Sequence, residues 1–156
     1  MKYLSMTDML TGIYNRNAMN HRVEELISDA SAQNVGVVFA DLNGLKQIND
    51  HEGHFAGDLL LKNAALALQR YFPECEIYRA GGDEFMIIGL DIPEQEIIRR
   101  VQILQNHADK ARSVSFAVGF CMDTACHLKQ TMHLADERMY LDKEKFYREH
   151  PEKKRA

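Results

Sequence analysis

Two adjacent acids, Asp83 and Glu84, stand in the stretch IYRAGGDEFMIIGL (77–90), behind two glycines and between two apolar runs. A tight turn needs the glycines; it does not need the acids. A third acid, Asp41, ends the apolar, β-branched run VGVVFADL (35–42). Strands that follow one another in the chain are often neighbours in a sheet, which would bring three carboxylates to one sheet edge. Crowded like charges repel and push a pKa up unless a cation compensates. Hard oxygen ligands of this kind suit Mg²⁺ or Mn²⁺, with phosphate oxygens completing the shell. Two such ions clamp the attacking and leaving oxygens of a phosphoryl transfer.

The next segment, DLNGLKQINDHEGHFAGD (41–58), is dense in small and polar groups for a link between a strand and a helix. Gly44, Gly53 and Gly57 allow the backbone to approach a ligand closely. Lys46 offers a point charge to a phosphate. Asn49 and Asp58 offer the donor and acceptor groups that could read a purine edge. A carboxylate accepts two N–H bonds from guanine, whose N1 and N2 both donate; adenine lacks that pair.

The elements that must position these residues follow from periodicity. A helix is expected over about 15–32, and a buried strand over 35–42. A helix over 54–71 carries apolar positions 56, 60, 64, 67 and 71 at helical spacing. A hairpin joins strands 76–80 and 85–90, with glycines supplying positive φ at the turn. A helix begins near Pro93 and keeps Ile97, Val101, Leu104 and Ala108 on one side. Residues 113–120 alternate as a strand, and a last helix runs over about 128–149. The order α, β, α, β, β, α, β, α fits an α/β (α+β) sandwich with helices packed on a mixed sheet.

Composition sets the remaining bounds. A chain of 156 residues that is 46% hydrophobic fits one globular domain. A net charge of −4 argues against a nucleic-acid partner. No apolar run approaches the ~20 residues that span a bilayer, so no membrane contact by this chain is expected. No signal peptide is evident. Cys75, Cys121 and Cys126 lack CxxC spacing and point to free thiols in a reducing compartment. A cytoplasmic location follows, including the cytoplasmic end of a membrane-anchored receptor.

Five blocks then carry a specific resemblance: DMLTGIYNR (8–16), DLNGLKQINDHEGHFAGD (41–58), RAGGDEF (79–85), SFAVGF (115–120) and ADERMYLDK (135–143). In this order the chain resembles the GGDEF domain of the diguanylate cyclase family over nearly its whole length. The resemblance implies a palm-like fold, as in nucleotidyl cyclases, and condensation of two GTP into cyclic di-GMP and two pyrophosphates. It implies that Asp41 and Asp83 are metal-binding acids, with the Leu42 carbonyl as a further ligand and Glu84 supporting two Mg²⁺ or Mn²⁺ ions. Asp83 matches the residue that helps deprotonate the 3′-hydroxyl, and Lys46 the lysine that stabilises phosphate charge. Asn49 and Asp58 match the guanine readers, and His54 a further substrate contact. Gly81 and Gly82 leave room for the nucleotide, and Lys143 matches a phosphate-binding lysine. The family reaction needs a transient homodimer of domains, and members usually carry an upstream sensor domain. The alternative within this resemblance is a catalytically silent GTP-binding signalling module.

Departures from the pattern are local. Asn43 stands where many members carry a second Asp, and Gly44 and Leu45 replace a bulky aromatic pair. Tyr147 takes the place of a phosphate-binding arginine, with Arg148 one residue later. The stretch FPEC (72–75) replaces the RxxD of product-inhibited members, so no feedback inhibition is expected there. Mixed cyclic GMP–AMP relatives place a smaller polar residue at the position of Asp58; retaining Asp favours GTP.

Overall fold

The computed structural model describes residues 5–29, 33–106 and 114–153. Helix α1 (Arg16–Ser28) precedes strand β1 (Asn34–Leu42). Helices α2 (Leu45–Glu52) and α3 (His54–Tyr71) lead to the hairpin β2 (Glu76–Arg79) and β3 (Glu84–Leu90). Helix α4 (Glu94–Asn106), strand β4 (Phe116–Thr124) and helix α5 (Leu128–Glu149) complete the chain, with single 3₁₀ turns flanking α5. The strand order is β2-β3-β1-β4. All three ladders are antiparallel. A parallel pairing occurs at the isolated bridge between Tyr14 and Tyr78.

β1 is central and buried along eight of its nine positions. Its side chains alternate between two cores, as the pleat requires. Val38, Ala40 and Leu42 join Phe85 and Ile87 beneath Leu61, Ala64 and Leu68 of α3 and Ile97, Val101 and Leu104 of α4. Val35, Val37 and Phe39 join Met86 and Ile88 beneath Met19 and Val23 of α1 and Ala135 and Met139 of α5. Continuing that alternation puts Asp41 and Glu84 on the α5 side.

The structure departs from expectation at four places. The link after β1 contains a helix, α2, which begins after Gly44 at φ 78 and ends at Gly53 at φ 89. Its polar sequence hides a short apolar face, Leu45 and Ile48, that packs on the core. Helix α1 ends at Ser28, its first turn capped by the Asn15 side chain, which accepts from the Ala18 N–H; residues 30–32 lie outside the described residues, as does Ala108 beyond the end of α4. β4 starts at Phe116 and continues to Thr124 because it pairs with the full length of β1; residue 113 lies outside the described residues. Finally, Gly81 and Gly82 are not among the positive-φ glycines. The loop is long enough to close without a left-handed residue. The Arg79 guanidinium donates to the Gly82 carbonyl at 2.8 and 3.1 Å, and Ala80 N–H to the Glu84 carbonyl at 2.8 Å.

The same Arg79 reaches Asp8 at 3.2 Å, tying the hairpin to the turn over residues 8–13. Burial pushes the Asp8 carboxyl up, but the Thr11 hydroxyl and N–H and the Arg79 charge outweigh it, and the net direction is down. A depressed carboxylate stabilises the fold above its unfolded pKa and loses that contribution as pH falls through the folded value. Asp8→Asn should therefore show a smaller loss of stability on acidification below about pH 4 than the parent. Urea titrations at pH 3 and pH 7 measure the difference; equal acid sensitivity in both proteins would contradict it.

Candidate active site

Asp41 and Glu84 are direct cross-strand partners, because β1 and β3 pair in the register Asp41↔Glu84. Partners of this kind share a face with Cβ atoms about 5 Å apart. Asp41 is only 5% exposed. Lys143 of α5 places its ammonium on Asp41 Oδ2. Together with Asp136 and Tyr140 these residues line a hollow of about 760 Å³ against α5. Burial first, then the charges of Asp136 and Asp41, hold the Glu84 carboxyl above the usual range; Lys143 and Arg16 pull the other way. Burial and the two neighbouring acids disfavour a charged Glu84, while Lys143 already pairs with Asp41.

Asp83 sits in the bend just before β3, where its carbonyl accepts the Leu42 N–H at 2.8 Å. Adjacent residues of a strand alternate between faces. The two adjacent acids thus divide: Glu84 lines the hollow with Asp41, and Asp83 stays in the bend before β3, outside the residues that line it. Among the described residues no group of three or more His, Cys, Asp or Glu is gathered closely enough to hold a metal ion. The donor set still fits a hard divalent cation, being all oxygen, facing and electrostatically crowded. Asp41 and Glu84 would hold it, with Asp83 and the Leu42 carbonyl at the same strand ends.

The other expected residues form a second group on the α2–α3 hairpin. Lys46 is exposed in the first turn of α2, whose N-cap, Gly44, provides no capping side chain. Asn49 lies one turn later. His54 opens α3 and Asp58 follows one turn on, both exposed. Gly81 and Gly82 have open space where a Cβ would point. Asn43 is buried, its amide donating to Ser115 Oγ at 3.0 Å and its N–H to the Ser115 carbonyl at 2.8 Å. It binds the ends of β1 and β4 and has a structural role.

Sequence reasoning missed two charged neighbours of the pair. Asp136 lies seven residues before Lys143, two turns back on the same helix, a spacing legible in ADERMYLDK. Arg16, at the first position of α1, donates to the Ala80 carbonyl at 3.0 Å beneath the hairpin. Nothing local in the sequence places Arg16 there, since 64 residues separate the two.

The family described as "Diguanylate cyclase, GGDEF domain" matches residues 5–148. The chain belongs to the GGDEF family. It is 30% identical over 147 residues to the probable diguanylate cyclase DgcJ of Escherichia coli K12, covering 90% of this chain and 30% of that protein. It is 39% identical over 89 residues to the cyclic di-GMP phosphodiesterase PdeR of the same organism, covering 56% of this chain and 14% of that protein. Among solved structures, the diguanylate cyclase SiaD of Pseudomonas aeruginosa, in complex with its activator SiaC, matches with a TM-score of 0.78 at 25% identity, over 90% of this chain and 59% of that one. This GGDEF domain has the palm-like cyclase fold and spans less than a third of the two curated relatives named above. No helix among its described residues is long and apolar enough to cross a membrane.

Proposed function

We propose that this GGDEF domain is a diguanylate cyclase that condenses two GTP into cyclic di-GMP and two pyrophosphates. The observation that carries the reading is the facing pair Asp41–Glu84, set on the α5 side of the sheet with Lys143 across from it. Each domain holds one GTP, and two domains meet transiently face to face. Each 3′-hydroxyl then attacks the α-phosphate held by the partner, its proton passing to Asp83 as pyrophosphate leaves. Two Mg²⁺ or Mn²⁺ ions per site, when bound, stabilise charge on the attacking and leaving oxygens.

The chain's own residues bind and orient. Asp58 accepts the guanine N1 and N2 protons, and Asn49 reads the same base from α2. His54 adds a contact at the start of α3. Lys46 meets the phosphates beside the uncapped first turn of α2, where N–H groups favour an anion. Lys143 exchanges Asp41 for phosphate. Gly81 and Gly82 leave the nucleotide room. Dimerisation supplies much of the rate by proximity, and an upstream domain of the full protein is the natural source of it.

The reading is tested by pyrophosphate release from GTP and Mg²⁺ over a range of protein concentrations. The rate per domain should rise with concentration and vanish with chelator. A rate per domain that stays constant on dilution would contradict the two-domain reaction. Asp58→Ser should bring the GTP:ATP preference down by about tenfold, the scale of one lost charge-assisted pair. An unchanged ratio would remove Asp58 from base recognition.

The alternative reading is a GTP-binding signalling module without turnover. Tyr147 at the arginine position bears on phosphate affinity in either reading. Product formation separates the two readings.

A further inference from the structure

Helices α2 and α3 are joined by a chain of backbone hydrogen bonds at four-residue steps. Gly53 N–H donates to the Asn49 carbonyl at 3.0 Å, and Gly57 N–H to the Gly53 carbonyl at 3.3 Å. Asn49 and Gly57 are thereby held at a fixed offset. Gly57 is buried, although it sits inside a helix, where alanine is intrinsically preferred. Its φ is not in the left-handed region, so backbone conformation does not require glycine. What requires it is the Asn49 side chain. A Cβ at Gly57 would overlap Asn49 Oδ1 and lie 2.8 Å from its Cγ and 3.3 Å from its Nδ2. The three heavy atoms nearest that Cβ all belong to this one amide.

We infer that Gly57 is a specificity-determining positioning residue: its missing side chain is the seat of the Asn49 amide and aims that amide at the base beside Asp58. The inference rests on the reading of Asn49 as a guanine contact. It assigns Gly57 a role that its small size alone, as room for a ligand, does not. The obstructed group is the far end of a flexible side chain, so a methyl at position 57 displaces the amide and leaves the helix in place. The lesion is then one of recognition. Asp58, the next residue on α3, keeps its backbone position.

The test compares the parent, Gly57→Ala, Asn49→Ala and the double variant. Binding of fluorescently labelled GTP and ATP is titrated, and thermal unfolding is recorded for each. Gly57→Ala should keep or raise the melting temperature. It should weaken GTP about as much as Asn49→Ala does, on the order of tenfold for a lost hydrogen-bonding group, with ATP less affected. The double variant should be no weaker than Asn49→Ala alone. If Asn49→Ala weakens GTP and Gly57→Ala does not, the seat is wrong while the base reading stands. If neither weakens GTP, the base reading itself fails and takes the inference with it. Additive losses in the double variant would show that Gly57 acts by another route, which also overturns it. Should Gly57→Ala fail to fold, the double variant, which clears the overlapping amide, should fold again; one that stays unfolded contradicts the assignment.

Discussion

Asp41→Ala should lower cyclic di-GMP formation by about a thousandfold or more, the scale expected when an acid that serves the reacting phosphate is removed. Asp41 is the buried half of the cross-strand pair and the partner of Lys143, whose side chain is itself 14% exposed. Two effects must be kept apart. Truncating Asp41 strands a nearly buried ammonium, and breaking a buried pair from one side costs about 3–5 kcal/mol. Part of the loss could thus be instability. Asp83→Ala leaves the Asp41–Lys143 pair in place and removes an acid in the bend. It should lose product to a comparable degree, with a smaller fall in urea midpoint than Asp41→Ala shows. Nucleotide chromatography gives the first quantity and urea denaturation the second. Activity within tenfold of the parent in either variant would contradict the proposed roles.

Gly119→Ala should destabilise the fold by about 3 kcal/mol, at the upper end for overpacking. Gly119 lies on β4 directly beneath the backbone of α5. A Cβ there would overlap the backbone of Met139 and Ala135 and lie 2.6 Å from the Arg138 carbonyl carbon. Main chain cannot step aside as a side chain can, so the whole helix must lift. The helix is held there by two further ties. Asp142 accepts the Val118 N–H at 2.8 Å, and Arg138 donates to the Phe120 carbonyl at 2.7 Å. Lifting α5 strains both and moves Lys143 away from Asp41. The variant should lose stability in urea and lose activity beyond what the unfolded fraction explains. A midpoint within 0.5 kcal/mol of the parent, on the scale of a neutral substitution, would show that the approach of α5 is looser than described.

The contrast between Gly57 and Gly119 shows how far sequence reading reaches. Both are glycines in blocks that carry the family resemblance. At Gly57 the obstacle is one amide, and at Gly119 it is a helix backbone. Nothing in the letters distinguishes these cases, because the neighbours of Gly119 are 16 to 20 residues away along the chain and folded back over it. Helix α3 was legible because its apolar spacing is sustained over many turns, and α5 falls on its expected approximate bounds. Helix α2 was hidden because eight polar-rich residues between glycines mimic a loop. Asp41 does meet Glu84, but not through consecutive strands: β1 pairs with β3, and β2 lies on the far side of β3. The separate course of Asp83 required the register, which puts Glu84 and not Asp83 opposite Asp41. The spacing of Asp136 to Lys143 was legible, but its place beside Glu84 needs α5 packed on the sheet, and Arg16 has no local signal at all.

The most direct test of the central claim is the identity of the product. The chain, fused to a dimeric coiled coil so that domains can meet, is incubated with GTP and Mg²⁺ beside Asp83→Ala in the same fusion. Nucleotides are separated by chromatography and identified by mass. Cyclic di-GMP from the parent and none from Asp83→Ala is the predicted result. GTP bound but recovered intact from the dimeric parent would contradict the cyclase and leave a GTP-binding module in its place.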